Sequence, residues 1–265
     1  MNKTITSTRV ETMKKEQLSS LAQSNGYKSG YLNIVSFSGG KDSTAMLLMM
    51  LEKGMRIDEI IFCDTGKEFP QMYEHIEKVS EYTGQQITTL KSEKSFEYYL
   101  GWHVKTKGNN TGGIGYGWPD FQTRWCTLAL KRDILSKYYK QMTNTIEYIG
   151  IAFDERERAT QKSDGRIKKY PLVEWGITEN QALRYCYKHG IDWGGLYRKF
   201  KRVSCYCCPL QSIPELYIIY NNFSELWGDM KKMDAMSYRK FRNDYSLDEL
   251  EKRFELKARQ TMFSY

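Results

Sequence analysis

The sequence lacks a long hydrophobic run, and this absence excludes a helix that spans a membrane. Its longest mostly apolar stretch, residues 44–51, is far shorter than the roughly 20 residues that cross a bilayer. An apolar signal core is also missing near the amino terminus, because Lys14, Lys15 and Glu16 interrupt the sequence there. We therefore expect a cytoplasmic protein with no membrane partner.

Cysteine, histidine and proline are scarce, with 6, 3 and 5 copies in 265 residues. Six cysteines are too few for a disulfide scaffold of this size, and the histidines have no mutual spacing that indicates a metal site. With 40% hydrophobic and 27% charged residues, the chain can bury a core. The net charge of +8 is compatible with nucleic acid or with anionic small substrates.

Apolar runs alternate with helix-like segments through the first part of the chain. Strands are predicted at 32–37, 59–63, 86–90 and 145–151, and helices at 44–51, 70–82 and 126–139. This alternation predicts an α/β fold with a Rossmann-like parallel sheet, whose ligands collect at the carboxyl ends of the strands.

The remaining segments suggest three parts. We expect a leader helix in 1–30, a sheet domain over 31–175 and a smaller C-terminal helical subdomain over 176–265, which also contains the last three cysteines. Helices are predicted there at 179–189, at 213–220 and in a stretch that runs through residue 257. Glycines crowd between 101 and 124, which indicates a long mobile loop that could cover a site.

A glycine loop separates the first strand from the first helix. Its glycines allow close approach of a phosphate, and the helix that follows offers backbone N–H groups and a positive dipole end. The loop lacks the spacer of the common nucleotide motif G-x-x-x-x-G-K-[ST]. A carboxylate beside a phosphate is repulsive unless it serves a cation, so we expect Mg²⁺ near Asp42. The residues expected to hold the phosphates are Ser38, Gly39, Gly40, Lys41, Asp42 and Ser43.

As it stands, this loop resembles the PP-loop of the adenine nucleotide α-hydrolase superfamily. Three further stretches resemble its phosphoadenylyl-sulfate (PAPS) reductase branch: Asp64-Thr-Gly-Lys-Glu-Phe-Pro70, Arg124-Trp-Cys-Thr-Leu-Ala-Leu-Lys131 and Gly150-Ile-Ala-Phe-Asp-Glu-Arg-Glu-Arg158. The resemblance covers residues 31 to about 210. It implies a Rossmann-like sheet flanked by helices that binds ATP, PAPS or adenylyl sulfate, so that 31–175 would be a PP-loop nucleotide-binding domain.

The resemblance also implies roles for single residues. Lys131 and Arg158 would reach anionic groups and act in catalysis with Lys41 and Asp42. Lys131 and Arg158 also have plainer interpretations. Lys131 could be a solvated helix residue, and Arg158 could form a surface pair with Glu155. The residues implied near the ribose and adenine are Asp64, Thr65 and Gly66.

Four cysteines form the second candidate site. Cys205-Tyr-Cys-Cys208 contains a C-x-x-C, a spacing at which thiolates ligate zinc or an iron–sulfur centre. The superfamily's iron–sulfur members pair such a motif with an upstream cysteine, which implies a [4Fe-4S] cluster on Cys126, Cys205 and Cys208, with Cys207 as a candidate fourth ligand. Zinc with the same ligands and buried, unliganded cysteines stay open. The iron–sulfur adenylyl-sulfate reductases carry their adjacent cysteines at the upstream position, whereas here the pair is downstream.

The function implied is sulfur chemistry on an activated acceptor. PAPS reductases use a nucleophilic cysteine near their C-terminus, and this sequence has none after Cys208. The cysteine pattern is similar to that of iron–sulfur ATP pyrophosphatases of DNA phosphorothioation and of tRNA thiolases. We therefore expect an ATP pyrophosphatase that adenylylates an acceptor oxygen for sulfur transfer, releasing AMP and pyrophosphate.

Two alternatives remain. One is a PAPS or adenylyl-sulfate reductase that uses an external thiol, and the other is a nucleotide-sensing or DNA-binding accessory subunit without turnover. A nucleic acid is a candidate acceptor and a cysteine desulfurase a candidate sulfur donor. The oligomeric state does not follow from the sequence.

Overall fold

The computed structural model describes residues 30–106, 111–142, 144–159 and 166–262. The predicted leader helix lies outside these ranges. The described residues form two compact units that alternate along the chain. Unit 1 comprises the described parts of 1–62, 76–88 and 140–191, and unit 2 those of 63–75, 89–139 and 192–265. The boundary predicted between 175 and 176 stays a prediction.

A five-stranded sheet confirms the predicted α/β class. Its strands are β1 (Leu32–Ser36), β2 (Glu59–Asp64), β3 (Ile87–Lys91), β4 (Thr145–Ile149) and β5 (Ile167–Lys169). They are ordered β3-β2-β1-β4-β5, and the pairs β1–β2, β1–β4 and β4–β5 are parallel. The sequence did not predict β5, because its three residues are too short to show a periodic pattern.

Helices flank the sheet, and those predicted at 70–82, 179–189 and 213–220 are confirmed within a few residues. The α-helices are α1 (Lys41–Glu52), α2 (Pro70–Thr83), α3 (Trp125–Thr127), α4 (Asp133–Tyr139), α5 (Pro171–Glu174), α6 (Glu179–Lys188), α7 (Leu196–Lys199), α8 (Ile213–Asn222), α9 (Ser224–Asp234) and α10 (Leu247–Met262). A π-helical turn, Leu128–Arg132, joins α3 to α4, and another spans Tyr98–Trp102. In the described ranges, no helix is long and apolar enough to cross a bilayer.

The local signals explain where these elements begin. The central residues of β1 are fully buried, and α1 is buried on nearly all sides, as expected for a helix inside a core. Thr178 and Gln181 form a reciprocal capping box at the start of α6, and Ser212 and Glu215 form another at the start of α8.

The strand order places β1 between β2 and β4, so the direction in which strands are added reverses at β1. Such a switch point leaves a crevice at the carboxyl ends of the strands, where ligands of open α/β sheets bind. Ser36 lies in register with Ile149, so the segments that follow β1 and β4 leave the sheet side by side. The glycine loop is therefore positioned at the switch point.

The segment 101–124, predicted as a long mobile loop, makes internal contacts in the described residues of unit 2. Val104 and Ile114 form an antiparallel bridge, and the amide of Gly117 donates to the carbonyl of Leu100. Trp118 is 1% exposed. The glycines serve close packing here, because a Cβ on Gly115 would lie 2.5 Å from the carbonyl oxygen of Leu100.

Candidate functional site

The glycine loop of unit 1 is shaped by its own serines. Gly39 has a φ of 76°, the left-handed region that glycine adopts easily, and Gly40 precedes α1 in an extended conformation. The hydroxyl of Ser43 donates to the carbonyl of Gly40 at 3.0 Å and lies 3.0 Å from the hydroxyl of Ser38. No side chain caps the amino end of α1, so this twelve-residue helix presents its positive end to an anion.

Gly150, which follows β4, fixes the loop from the other side. A Cβ at this position would lie 2.7 Å from both the amide nitrogen and the Cα of Ser43. These are backbone atoms that cannot move independently, so only glycine fits. Close packing against Ser43 therefore explains why the motif that begins at Gly150 has glycine as its first residue.

Two carboxylates lie next to one ammonium group beside this loop. The Nζ of Lys41 lies 3.0 Å from Oδ2 of Asp42 and 3.3 Å from Oε2 of Glu179. Burial raises the pKa of Asp42 above its usual range, with Lys41 opposing and Glu179 and Glu155 adding to the rise. The other carboxylate oxygen of Asp42, Oδ1, is buried and has no hydrogen-bond partner among the described residues. This surplus of negative charge with an unpartnered oxygen suits an added hard cation such as Mg²⁺.

The cysteine loop of unit 2 is held by backbone contacts. The amide of Cys208 donates to the carbonyl of Cys205 at 3.1 Å, which closes a turn, and the amide of Tyr206 donates to the carbonyl of Lys67 at 3.0 Å. The side chain of Gln211 donates to the carbonyl of Cys205 at 2.9 Å. The loop is thus fixed by residues on both sides of it in the sequence.

Four thiols of unit 2 influence one another electrostatically. Burial raises the pKa of Cys126, Cys205, Cys207 and Cys208, and each rise is increased by another cysteine or by Glu68. Thiolate ligands suit a soft metal centre in their chemistry. In the described part of the chain, however, no three cysteine, histidine, aspartate or glutamate side chains are grouped so that they could hold a metal ion. The four thiols therefore suit an iron–sulfur centre by their chemistry, while the described residues form no site for a single metal ion.

Glu68 connects the cysteine loop to Lys131. Its buried carboxylate accepts a hydrogen bond from the hydroxyl of Thr65 at 3.2 Å and one from the thiol of Cys205 at 3.6 Å. The Nζ of Lys131 lies 3.7 Å from the same carboxylate oxygen. Burial would lower the pKa of Lys131, but the Glu68 carboxylate and the neighbouring cysteine thiols together outweigh burial and raise it. Lys131 is therefore an ion-paired residue of unit 2 whose side chain is 37% exposed.

Lys67 forms a second buried network around the cysteine loop. Its Nζ lies 2.5 Å from Glu97 and 3.0 Å from Asp229, and it donates to the hydroxyl of Tyr206 at 3.2 Å. Tyr206 also donates to Asp229. Burial alone would lower the pKa of Lys67, but the two carboxylates more than offset it and raise the pKa. This network fixes Tyr206, the residue between Cys205 and Cys207.

The end of β2 makes a compact turn. Asp64 accepts hydrogen bonds from the amide of Gly66 at 2.7 Å and from the hydroxyl of Tyr73 at 2.8 Å, and it forms an ion pair with Lys91 at 3.1 Å. Burial would raise the pKa of Asp64, but these partners lower it. Gly66 has a φ of 73°, which explains why a glycine is needed in the turn.

A model of the phosphoadenosine phosphosulfate reductase domain matches residues 33–211. The chain belongs to this family. The matched span includes the glycine loop, the turn after β2, Gly150 and the four cysteines of the second candidate site. The family resemblance drawn from the sequence is thereby confirmed, together with the nucleotide-binding class of domain.

The names of the curated relatives that match this reductase-family chain state no function. Two uncharacterised proteins of Methanocaldococcus jannaschii are 29% and 28% identical to it, over 73% and 84% of the chain and 39% and 54% of their own lengths. An uncharacterised nin region protein of Escherichia phage lambda is 28% identical over 49% of the chain and 51% of its own length. The chain thus spans about half the length of the curated relatives it matches, or less.

Two solved structures are similar to the reductase-family chain, each at 16% identity. A PAPS reductase from Candida auris, in complex with phosphate, aligns with 77% of this chain and 98% of its own at a TM-score of 0.48. The U34-tRNA thiolase NcsA from Methanococcus maripaludis, with its [4Fe-4S] cluster, aligns with 84% of this chain and 78% of its own at a TM-score of 0.43.

The structure groups the predicted site residues of this reductase-family chain by unit. The loop residues 38–43 belong to unit 1, whereas Asp64, Thr65, Gly66, Lys131 and the four cysteines belong to unit 2. Arg158 in unit 1 pairs with Glu155, which is the plainer of its two interpretations. Sequence reasoning gave no role to Lys67, Glu68 or Glu179. Lys67 and Glu68 lie inside the Asp64–Pro70 motif, and this position was the one feature of the sequence that could have indicated a role for them.

Replacing Asp42 with asparagine is expected to stabilise the nucleotide-free protein by about 1–2 kcal/mol at neutral pH, because an ionised, incompletely bonded carboxylate is removed. The folded-state pKa of Asp42 is raised above the unfolded value, so the native form loses stability as pH rises through it. The difference between variant and wild type should therefore disappear as pH falls toward the ordinary carboxyl range. Urea unfolding between pH 4 and pH 8 measures it, with the exposed Glu77→Gln as control. A variant that is less stable at every pH would show that the Lys41 ion pair outweighs burial.

Replacing Lys67 with methionine is expected to lower the free energy of unfolding by about 2–3 kcal/mol. The substitution leaves the carboxylates of Glu97 and Asp229 without their cation. Both carboxylates are partly exposed, which reduces the loss of stability. Lys231 offers a matched control, since it also pairs with two acids but is 37% exposed, and Lys231→Met should cost less than about 1 kcal/mol. Equal losses in urea unfolding would mean that burial of Lys67 is unimportant.

Proposed function

We propose that this reductase-family chain is an ATP pyrophosphatase that activates an acceptor oxygen for sulfur transfer. The acceptor oxygen attacks the α-phosphorus of ATP, the bond to the bridging oxygen of the β-phosphate breaks, and pyrophosphate leaves. A sulfur nucleophile then displaces AMP from the acceptor. The observation that carries the proposal is the uncapped glycine loop together with the unpartnered, buried Oδ1 of Asp42 beside it.

The loop residues account for most of the chemistry. Backbone amides at the start of α1 and the ammonium of Lys41 would hold the phosphates and favour the charge that develops on the leaving pyrophosphate. Asp42 would hold Mg²⁺, which when bound neutralises phosphate charge. The fixed contact between Gly150 and Ser43 keeps these groups in one geometry, so little reorganisation is needed on binding.

The remaining predicted residues would each exchange a partner to act. Lys131 and Arg158 are paired with Glu68 and Glu155, so either could bind an anionic group only by leaving its carboxylate. Asp64, Thr65 and Gly66 would contact the ribose and adenine through the turn after β2. These roles stay predictions.

Pyrophosphate release tests the proposed reaction. The full chain is incubated with ATP, Mg²⁺, sulfide as the sulfur nucleophile and one acceptor class at a time, namely RNA, DNA or a mixture of small metabolites, and pyrophosphate and AMP are measured. Equimolar pyrophosphate and AMP with one acceptor is the expected result. No pyrophosphate with any acceptor class would overturn the proposal.

A reductase activity is the second candidate, and the family match itself favours it. The same protein is given PAPS or adenylyl sulfate with an external dithiol, and sulfite is measured. Sulfite without pyrophosphate formation from ATP would replace the first proposal. ATP binding without either product, combined with steeply salt-dependent DNA binding, would indicate an accessory subunit.

We further propose that Cys126, Cys205, Cys208 and, as a fourth ligand, Cys207 hold a [4Fe-4S] cluster, which would take part in delivering the sulfur. Anaerobically purified wild type should then contain about four iron atoms and absorb broadly in the visible range, and Cys205→Ser should lose both. Cys186→Ser is the matched control, because Cys186 is a fully buried cysteine of unit 1. Colourless protein with one zinc would identify a zinc site with the same ligands.

A further inference from the structure

A cavity of about 260 Å³ lies in unit 2 directly after the cysteine loop. Its walls come from Trp118 and Phe121, from Leu210 and from the segment 239–244. Phe121 is 66% exposed and Leu210 is 50% exposed. Leu210 stands two residues after Cys208, so these exposed apolar side chains border the cysteine loop.

The floor of this cavity is fixed. The indole N–H of Trp118 donates to Asp234 at 2.6 Å, and its ring packs edge-on against Phe241 with ring centres 4.9 Å apart. Asp120 pairs with Arg239 at the rim. The volume is below the roughly 300–1,000 Å³ of sites that enclose a whole small molecule. The cavity therefore suits one flat group of a larger ligand.

Two arginines near Cys208, which precedes the cavity-lining residues Pro209 and Leu210, indicate what that larger ligand is. Arg124 and Arg202 are exposed, and both act electrostatically on the thiol of Cys208. Neither forms an ion pair with a carboxylate of the described residues. A guanidinium presents planar donors that match phosphate oxygens, so two uncommitted arginines favour a ligand with repeated phosphates.

We propose that the cavity binds an unpaired base of a single-stranded nucleic acid, with Arg124 and Arg202 on its phosphates. The base would stack on Phe121, because aromatic side chains bind unpaired bases of any sequence through their faces. A base inside a duplex cannot enter such a cavity. The inference rests on the proposed function in one respect only: it makes nucleic acid the acceptor, held next to the cysteines.

Binding of fluorescent oligonucleotides of about 12 nucleotides to the full chain, without ATP, tests the proposal. We expect single strands to bind at least 10-fold more tightly than a duplex of the same sequence. Phe121→Ala should weaken single-strand binding about 10-fold or more, while Phe121→Trp, which keeps a stacking surface, should stay within about 3-fold of wild type. Leu210→Ser provides a second variant of the same wall, and thermal unfolding shows that each variant is folded.

The arginines are tested through the salt dependence of binding. The double variant Arg124→Gln/Arg202→Gln should lower the slope of log K against log salt by about 1.4, the value for two phosphate contacts on a single strand. Controls outside the cavity are Tyr82→Ala, a 57% exposed aromatic of unit 1, and Arg184→Gln/Arg253→Gln. Both should leave affinity and slope unchanged.

The outcomes separate this proposal from the reaction itself. Equal binding of duplex and single strand, loss of affinity in the controls, or binding only to an acidic peptide would overturn it. Pyrophosphate formation with a small acceptor and no oligonucleotide binding would leave the reaction standing and reject the cavity assignment. Oligonucleotide binding that depends on Phe121, with no pyrophosphate formed, would support the cavity assignment and reject the reaction.

Discussion

Gly150→Val is expected to reduce pyrophosphate formation at least 100-fold, because small displacements of a phosphate-binding loop have effects of about that size. The first added carbon would already lie 2.7 Å from the backbone of Ser43, and the branched side chain requires more room. Ser43 would move, and with it the start of α1. Titration of a fluorescent ATP analogue and the rate of pyrophosphate release both measure the effect.

Gly228→Ala is the matched control for this glycine. Gly228 lies within α9, has ordinary helical geometry, and a Cβ there meets nothing within 4 Å. The control should keep its activity and gain about 0.5–1 kcal/mol of stability, because alanine is the better helix former. Wild-type activity in Gly150→Val would show that the loop position is not important for catalysis.

Lys41→Ala is expected to lower the rate of pyrophosphate formation by about 100- to 1,000-fold, the usual loss when one preorganised group that stabilises transition-state charge is removed. The lysine is 10% exposed and contributes the positive charge between the carboxylates of Asp42 and Glu179 at the loop. Single-turnover assays at saturating ATP distinguish this loss from weaker nucleotide binding.

The exposed lysine Lys78 in α2 provides the control, and Lys78→Ala should react like wild type. Assays are run below the unfolding temperature of every variant, since Lys41→Ala leaves Asp42 and Glu179 without their partner. A Lys41→Ala protein that forms pyrophosphate at the normal rate would remove the glycine loop from the proposed mechanism.

The elements that could be predicted from the sequence are those with local signals. The glycine loop, α1 and α2 are each encoded within about fifteen residues, by strand, turn and helix patterns that need no knowledge of the rest of the chain. The family motifs likewise identified the cysteines and the loop. The internal contacts of the segment 101–124 were not predicted, because glycines that allow close packing, such as Gly115, look the same in a sequence as glycines that allow movement.

The contacts that could not be predicted join residues far apart in sequence. Lys67 and Tyr206 are separated by 139 positions, and Glu68 and Cys205 by 137. Nothing in the composition of either segment specifies its partner. The ion pair of Lys131 with Glu68 also joins separate segments, so the partner of this lysine could not be predicted from the sequence.

The alternation of the two units along the chain also affects how the protein is made. Lys67 leaves the ribosome 162 residues before Asp229, its partner in the same unit, which at 5–20 residues per second is a delay of about 8–32 s. Phe69 is likewise synthesised well before Phe200 and Phe223, whose ring centres lie 5.1 and 5.4 Å from its own. Unit 2 therefore completes its core late in translation, and until then the nascent chain exposes apolar side chains that a chaperone would have to protect.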